Sequence, residues 1–287
     1  MTQFSEAGQL LAHARETTEI FTLPDGRALA WCSFGDPTGL PLIHFHGTGL
    51  SRLEALTGDT AARAHGVRII AADRAGFGRS TPLPRRFIAD SANDVKMLAH
   101  HLGLGQFALS GFSGGFPHAL ALAAIAPEKV FYLAAMNTAG DLHDPSARAL
   151  SLAARVMLNI ATRPMFARWV WTAMFRDLSK MYEIETSPVH AELIAAAMHE
   201  GSDGHMATIT YEMGLFYQRA WNINWANVIC PIEMFHGDAD GNRPFVKDLA
   251  RRHDNVCYRA IPGGHMDGIA PDVWEQVARA IRNTAPR

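Results

Sequence analysis

The sequence predicts an α/β protein, a mostly parallel twisted sheet with helices on both faces. Apolar runs of strand length alternate with helical stretches along most of the chain. Those runs, among them Pro41-Leu42-Ile43-His44-Phe45-His46 and Val130-Phe131-Tyr132-Leu133-Ala134-Ala135-Met136, are apolar throughout rather than alternating, as strands covered on both faces are. They end in Gly-rich or polar turns, where open α/β sheets collect their functional groups.

The 287 residues suffice to bury a large core. A content of 48% hydrophobic and 19% charged residues is that of an ordinary globular protein. The formal charge of -2 and the scattered Lys and Arg residues offer no broad positive field, so neither a nucleic acid nor a membrane is expected as a partner. A small-molecule substrate suits the balance better. Cys32, Cys230 and Cys257 are odd in number, widely spaced and without a Cys-x-x-Cys pair, and are read as small buried hydrophobes rather than disulfide partners. The first ten residues lack a basic start and an apolar run, and no uncharged apolar stretch reaches the ~18 residues that span a bilayer. A cytoplasmic location is expected.

In order, Glu19 to Leu23 and Ala28 to Cys32 read as a hairpin about Pro24-Asp25-Gly26. The strand from Pro41 ends at His46-Gly47-Thr48-Gly49 and leads to a helical stretch over Leu53 to Ala64. Val67 to Ala72 is a buried strand ending in Asp73-Arg74-Ala75-Gly76-Phe77-Gly78-Arg79-Ser80, and a helix near Asn93 to Leu102 precedes the strand from Phe107. After the strand at Val130 to Met136 the strand pattern stops, and pieces near Ala147 to Ala161, Met165 to Met181, Val189 to Glu200 and Met206 to Trp221 read as helices. Strands resume at Pro231 to Phe235 and Val256 to Ile261, separated by a helix near Phe245 to Arg252 and followed by one over Asp272 to Ile281. The division expected is a core over 1-140 and 228-287 with a helical cap, or lid, over 141-227. That insertion holds seven of the twelve methionines and four of the six tryptophans, which would give a lid an adaptable apolar underside.

The chemistry centres on Ser110-Gly111-Phe112-Ser113-Gly114-Gly115-Phe116. A Gly-x-Ser-x-Gly pattern arises by chance in about one such chain in ten, so its context counts for more than its letters. Here it joins an apolar strand to an apolar helix. At such a turn the serine adopts strained angles that expose its hydroxyl, and the helix start directs N-H groups toward a developing oxyanion. Ser113 is therefore the candidate nucleophile, and the N-H of Gly114, the next residue, is one expected oxyanion-hole donor.

A serine hydroxyl needs a histidine to take its proton and an acid to orient that histidine. His236-Gly237-Asp238-Ala239-Asp240-Gly241-Asn242-Arg243-Pro244 and Pro262-Gly263-Gly264-His265-Met266-Asp267 follow two later strands and supply both. Asp238 and Asp240 are the candidate acids, and Asp267 reads as a turn residue. His44 and His46 alternate on a strand, but no further Cys/His cluster accompanies them, so a loop-bracing role is preferred and no metal is expected. His118 reads as packing.

The order serine, acid, histidine, with the His-Gly-Thr turn, the Asp-Arg-x-Gly-Phe-Gly-Arg-Ser loop and the Gly-x-Ser-Gly-Gly turn, resembles the α/β-hydrolase family, closest to its lidded bacterial members. The resemblance covers nearly the whole chain beyond the first fifteen residues. It implies that the acid is Asp240, from a His-Gly-x-x-Asp-x-x-x-Pro pattern ending at Pro244, with Asp238 second. It also implies that His265 is the base, that Thr48 gives the second oxyanion donor, and that no cofactor is used. The Asp73/Arg79 loop would be a structural turn with a charge pair. The implied activity is that of an esterase-like serine hydrolase. Lactonases, thioesterases, C-C bond hydrolases and peptidases share the pattern, and a non-catalytic small-ligand binding or signalling module is the reading from another class. A dehalogenase or epoxide hydrolase would carry an acid in place of Ser113. A peptidase acting at an amino terminus would need an acidic anchor, for which Glu183, Glu185, Glu192 and Glu212 are the insertion's candidates.

Overall fold

The computed structural model describes residues 5-163, 165, 166, 169, 170, 173 and 187-286. Its sheet has eight strands: β1 (Glu19–Thr22), β2 (Ala28–Gly35), β3 (Leu40–Phe45), β4 (Val67–Ala72), β5 (Phe107–Phe112), β6 (Val130–Met136), β7 (Ile232–Gly237) and β8 (Val256–Ile261). Their spatial order is β1-β2-β4-β3-β5-β6-β7-β8. β1 with β2 and β2 with β4 pair antiparallel, and every later pair is parallel.

Helices α1 (Glu6–Glu16), α2 (Asp59–Ala64) and α9 (Pro271–Thr284) cover one face, and α3 (Ile88–His101), α4 (Phe116–Ile125) and α8 (Arg243–Arg252) the other. Because successive side chains on a strand point to opposite faces, Leu42, Ile69 and Ala108 join the first layer while their neighbours Ile43, Ile70 and Leu109 join the second. α4 is buried on every side from Phe116 to Ala124, which explains its apolar sequence without a polar stripe. The stretch read as one helix from Leu53 to Ala64 is a 3-10 segment, Arg52–Gly58, followed by α2.

Between β6 and β7 the described residues contain no strand. They form a 3-10 turn (Pro145–Ala149), α5 (Leu152–Ala161), α6 (Pro188–Ser202) and α7 (Met206–Tyr217), joined to β7 through a 3-10 turn at Trp225–Asn227. The helix read over Met165 to Met181 lies mostly outside the described residues. Leu193, Ile194 and Ala197 of α6 join the first layer, and Ile209, Leu215 and Phe216 of α7 join the second. Among the described residues no helix is long and apolar enough to cross a membrane.

One expectation is corrected here. Cys32 and Cys230 are buried, but Cys257 is exposed, because β8 is the edge strand and its outer positions are left uncovered. The insertion's methionines and tryptophans divide between buried and exposed positions. Met213 and Trp221 are buried, whereas Met157, Met165 and Trp169 are 64%, 83% and 76% exposed, and the most buried polar residue of α7 is an acid, Glu212.

Candidate active site

β5 ends directly at Ser113, whose φ of 49° lies in the left-handed region that L-residues avoid. Space dictates the glycines around it. A Cβ at 111 would stand 2.7 Å from the backbone of Phe116, and one at 115 would stand 2.0 Å from the carbonyl oxygen of Phe45. Strand and helix can therefore approach only with glycine at both positions.

Ser113 Oγ donates to His265 Nε2 at 2.8 Å, and His265 Nδ1 donates to Asp240 Oδ2 at 2.5 Å. A carboxylate can only accept, which fixes the proton of a neutral His265 on Nδ1 and leaves Nε2 free to receive one from the serine. Asp240 Oδ1 accepts from the Asn242 N-H at 2.7 Å and lies 3.1 Å from Nε2 of the buried His236. Burial opposes the charged form of Asp240, yet His236 and His265 outweigh it and hold the carboxyl well below its ordinary range. Asp238 faces elsewhere, accepting from the Gly263 N-H at 3.2 Å, and Asp267 accepts from the Gly264 N-H at 2.7 Å.

Asn137, at φ 43° just beyond β6, ties the acid and base segments together. Its amide nitrogen donates to the carbonyls of Gly264, at 2.8 Å, and His265, at 2.5 Å, and its oxygen accepts from the Gly237 N-H at 2.6 Å. The sequence reading missed it. Its only local signal is a lone Asn where the strand series breaks off.

Thr48 and Gly114 meet across the site: a Cβ on Gly114 would stand 2.1 Å from Thr48 Oγ1 and 2.7 Å from the Phe216 ring. The turn carrying Thr48 is braced by buried groups. Gly47 N-H donates to Glu54 Oε2 at 2.7 Å, and His44 Nε2 donates to Glu54 Oε1 at 2.7 Å. The Gly47 carbonyl accepts from His46 Nδ1 at 2.7 Å and from Leu50 N-H at 3.2 Å. His46 Nε2 in turn accepts from the Arg74 N-H at 3.1 Å. Burial foremost, then the Arg74 charge, keeps His46 well below its usual pKa and so neutral. His44 and His46 thus brace this loop, and among the described residues no cluster suited to a metal occurs.

Asp73 departs from the expected pairing. Its carboxylate accepts the backbone N-H of Arg79 at 2.9 Å, but its side-chain partner is the buried Arg52, at 2.6 Å. Of the insertion's acids, Glu192 is exposed and accepts from Ser5 Oγ at 2.9 Å, whereas Glu212 is enclosed by Arg74, Arg86, His118 and Thr48 and so is not a free anchor for an amine. Glu183 and Glu185 lie outside the described residues. His118, read as packing, is buried, but it also meets polar groups: Nδ1 lies 3.1 Å from the Ile88 carbonyl oxygen and Nε2 3.3 Å from Glu212 Oε1.

An imidazole bonded on one side to a serine hydroxyl and on the other to a carboxylate can accept the serine proton and hold the charge that results. The loop about Thr48, beyond β3, and the 3-10 turn Ser113–Gly115, between β5 and α4, approach each other at the carboxyl ends of those two strands.

Residues 41-169 match the family model for the alpha/beta hydrolase fold. Over 116 residues the chain is 34% identical to the dihydrolipoyllysine-residue acetyltransferase component of the acetoin cleaving system of Pseudomonas putida; the match takes in 40% of this chain and 31% of that protein. A thermophilic esterase from Thermogutta terrifontis is similar in structure, with a TM-score of 0.67 and 21% identity over 93% of this chain and 97% of the other. A hydrolase from Pseudomonas aeruginosa superposes with a TM-score of 0.70 and 17% identity, covering 93% of this chain and 98% of its own. With the sheet order, the left-handed serine at the end of β5 and these likenesses, the chain has the α/β-hydrolase fold.

Proposed function

We propose that the protein is a serine hydrolase of carboxylic esters or related acyl compounds. The observation that supports this reading most is the continuous path of Ser113 Oγ to His265 Nε2 at 2.8 Å and His265 Nδ1 to Asp240 at 2.5 Å. His265 takes the proton as Ser113 Oγ attacks the carbonyl carbon, and the N-H groups of Thr48 and Gly114 receive the oxyanion. Collapse of the tetrahedral intermediate expels the alcohol, to which His265 returns the proton. Water, deprotonated by the same imidazole, then attacks the acyl-enzyme and releases the acid. Asp240 stabilises the imidazolium in both halves. No step calls for a cofactor.

Residues 141-227 are proposed as a cap on a core formed by 1-140 and 228-287. Phe216, packed on Gly114 beside the serine turn, supports an apolar contribution from this region next to the substrate site. A hydrophobic acyl or aryl group is the expected cargo, and lactones, thioesters and activated C-C bonds share the same acyl chemistry. The test is turnover of aryl esters from acetyl to hexanoyl by the wild type and Ser113→Ala. Turnover by the wild type, lost in a folded Ser113→Ala protein, is expected. A folded wild type inert to every ester, thioester and lactone offered would instead support a non-catalytic ligand-binding role.

A further inference from the structure

Glu212 is fully buried on α7, distant in sequence from every candidate catalytic residue, and yet its carboxylate reaches the turn opposite Ser113. Thr48 Oγ1 donates to Glu212 Oε2 at 2.7 Å. Arg74 grips both carboxylate oxygens, Nε to Oε1 at 3.0 Å and Nη2 to Oε2 at 2.7 Å, while its Nη1 donates to the carbonyl of His46. Arg86 Nη2 at 3.3 Å and His118 Nε2 at 3.3 Å complete the enclosure of Oε1. Burial alone would push the Glu212 carboxyl up, but Arg74 first, with His118, holds it well below the usual carboxylate range, so it is an anion there.

The contacts of α7 follow a helical stripe. Thr208, Glu212 and Phe216 are spaced four apart, so their side chains share one face. Thr208 abuts Gly76, Glu212 holds Thr48, and Phe216 covers Gly114. One face of one helix thus rests on the loop after β4, on the Thr48 turn and on the serine turn.

We infer that Glu212 is a positioning residue for the oxyanion donors, acting through Thr48 and Arg74. The inference rests on the serine-hydrolase reading above. The mechanism is geometric. A peptide unit is planar, so the bonds that fix the Gly47 carbonyl, from His46 Nδ1 and Leu50 N-H, also set the direction of the Thr48 N-H on the other side of the same plane. Glu54 holds the near end of this turn through the Gly47 N-H. Glu212 holds its far end through the Thr48 hydroxyl, and through Arg74 it also fixes the His46 carbonyl. With both ends held, the N-H is aimed before substrate arrives, and no free energy is spent on aligning it during reaction.

The test compares Glu212→Gln, Thr48→Val and Thr48→Ser with the wild type, measuring kcat and KM on an aryl ester, inhibition by a trifluoromethyl ketone that binds serine as an oxyanion, and thermal midpoint. Thr48→Val deletes the hydroxyl, leaves the backbone N-H in place and keeps the side-chain volume, so it reads positioning alone. A fall in kcat of about 10-fold to 100-fold with KM little changed is expected for Thr48→Val and Glu212→Gln. Ketone affinity should fall in parallel, Thr48→Ser should recover activity, and the double variant should be no worse than Glu212→Gln alone. An active wild type whose kcat and ketone affinity survive Thr48→Val within about twofold overturns the inference and leaves the hydrolase reading standing, even if Glu212→Gln fails to fold. A folded wild type that neither turns over esters nor binds the ketone removes both.

Discussion

Thr48 and Gly114 are mutually exclusive with any larger residue at 114: a Cβ there would fall 2.1 Å from Thr48 Oγ1. The two proposed oxyanion donors are thus in van der Waals contact. Their separation is set by the missing side chain.

Gly114→Ala is accordingly expected to displace Thr48 or the serine turn, since Phe216 blocks the alternative direction at 2.7 Å. Removing one oxyanion donor typically costs about 10²-fold to 10³-fold in kcat, and a comparable loss is expected here. Overpacking should add a destabilisation of about 1 to 3 kcal/mol, read from urea unfolding. Steady-state kinetics within threefold of wild type would show that Gly114 is not constrained as described.

Asp240→Asn should lower kcat by about 10³-fold to 10⁴-fold, because an amide facing Nδ1 favours the wrong tautomer of His265. His236 also contacts Asp240, at 3.1 Å, and would face the same amide. A loss below tenfold in ester turnover would mean that Asp240 is not the orienting acid. Asp238→Asn, altering a carboxylate that only bonds the Gly263 N-H, should leave kcat within about threefold, a scale suited to an exposed group.

How far the sequence could be read is clearest at this site. Ser113, Asp240 and His265 come from three strand ends whose order and turn chemistry are written locally, and all eight strands could be placed to within a few residues. Asn137 and Glu54 were not legible as site residues, and Glu212 was legible only as one of four candidate anchors for an amine. Asn137 acts on segments 100 and 127 residues away, and Glu212 on a turn 164 residues away, so no spacing rule points to them. The partner of Asp73 was misread for a related reason: Arg79 is near in sequence and bonds through its backbone, while the buried charge is met by Arg52 from another segment. Cys257 follows from β8 being an edge strand, which depends on strand order rather than on residues.

Asn137→Ala should be costly in both stability and rate. It leaves the buried Gly237 N-H without its acceptor, at about 1 to 3 kcal/mol, and frees the two carbonyls beside His265. Urea unfolding should report the first effect. A kcat reduced by about 10-fold or more would report the second, since misplacement of an imidazole by ~1 Å costs up to ~10²-fold. Unchanged kcat in the folded variant would show that His265 is held by other means.

His46 supplies a pH dependence of stability. Its folded pKa lies well below the ordinary value, chiefly through burial, and protonation of Nε2 would also cost its bond from Arg74 N-H. The unfolded chain takes up this proton near pH ~6.5 and the folded chain does not. The unfolded state therefore binds more protons below that pH, and stability should decline as pH falls from about 7.5 to 5, by up to ~1.4 kcal/mol per pH unit for this group. Urea midpoints across that range should show a shallower decline in His46→Gln than in the wild type. Parallel curves would mean that His46 takes up its proton as readily in the folded protein as in the unfolded chain.

The most direct measurement is to treat the folded wild type with a fluorophosphonate probe and locate the adduct by peptide mass spectrometry. A single adduct on Ser113 is expected, because among the described residues its hydroxyl alone is both at φ 49° on the strand-to-helix turn and bonded to His265 at 2.8 Å. Labelling should disappear in Ser113→Ala and be strongly slowed in Asp240→Asn. An adduct on another serine, or none at all on folded protein, would contradict the assignment of Ser113 as the nucleophile.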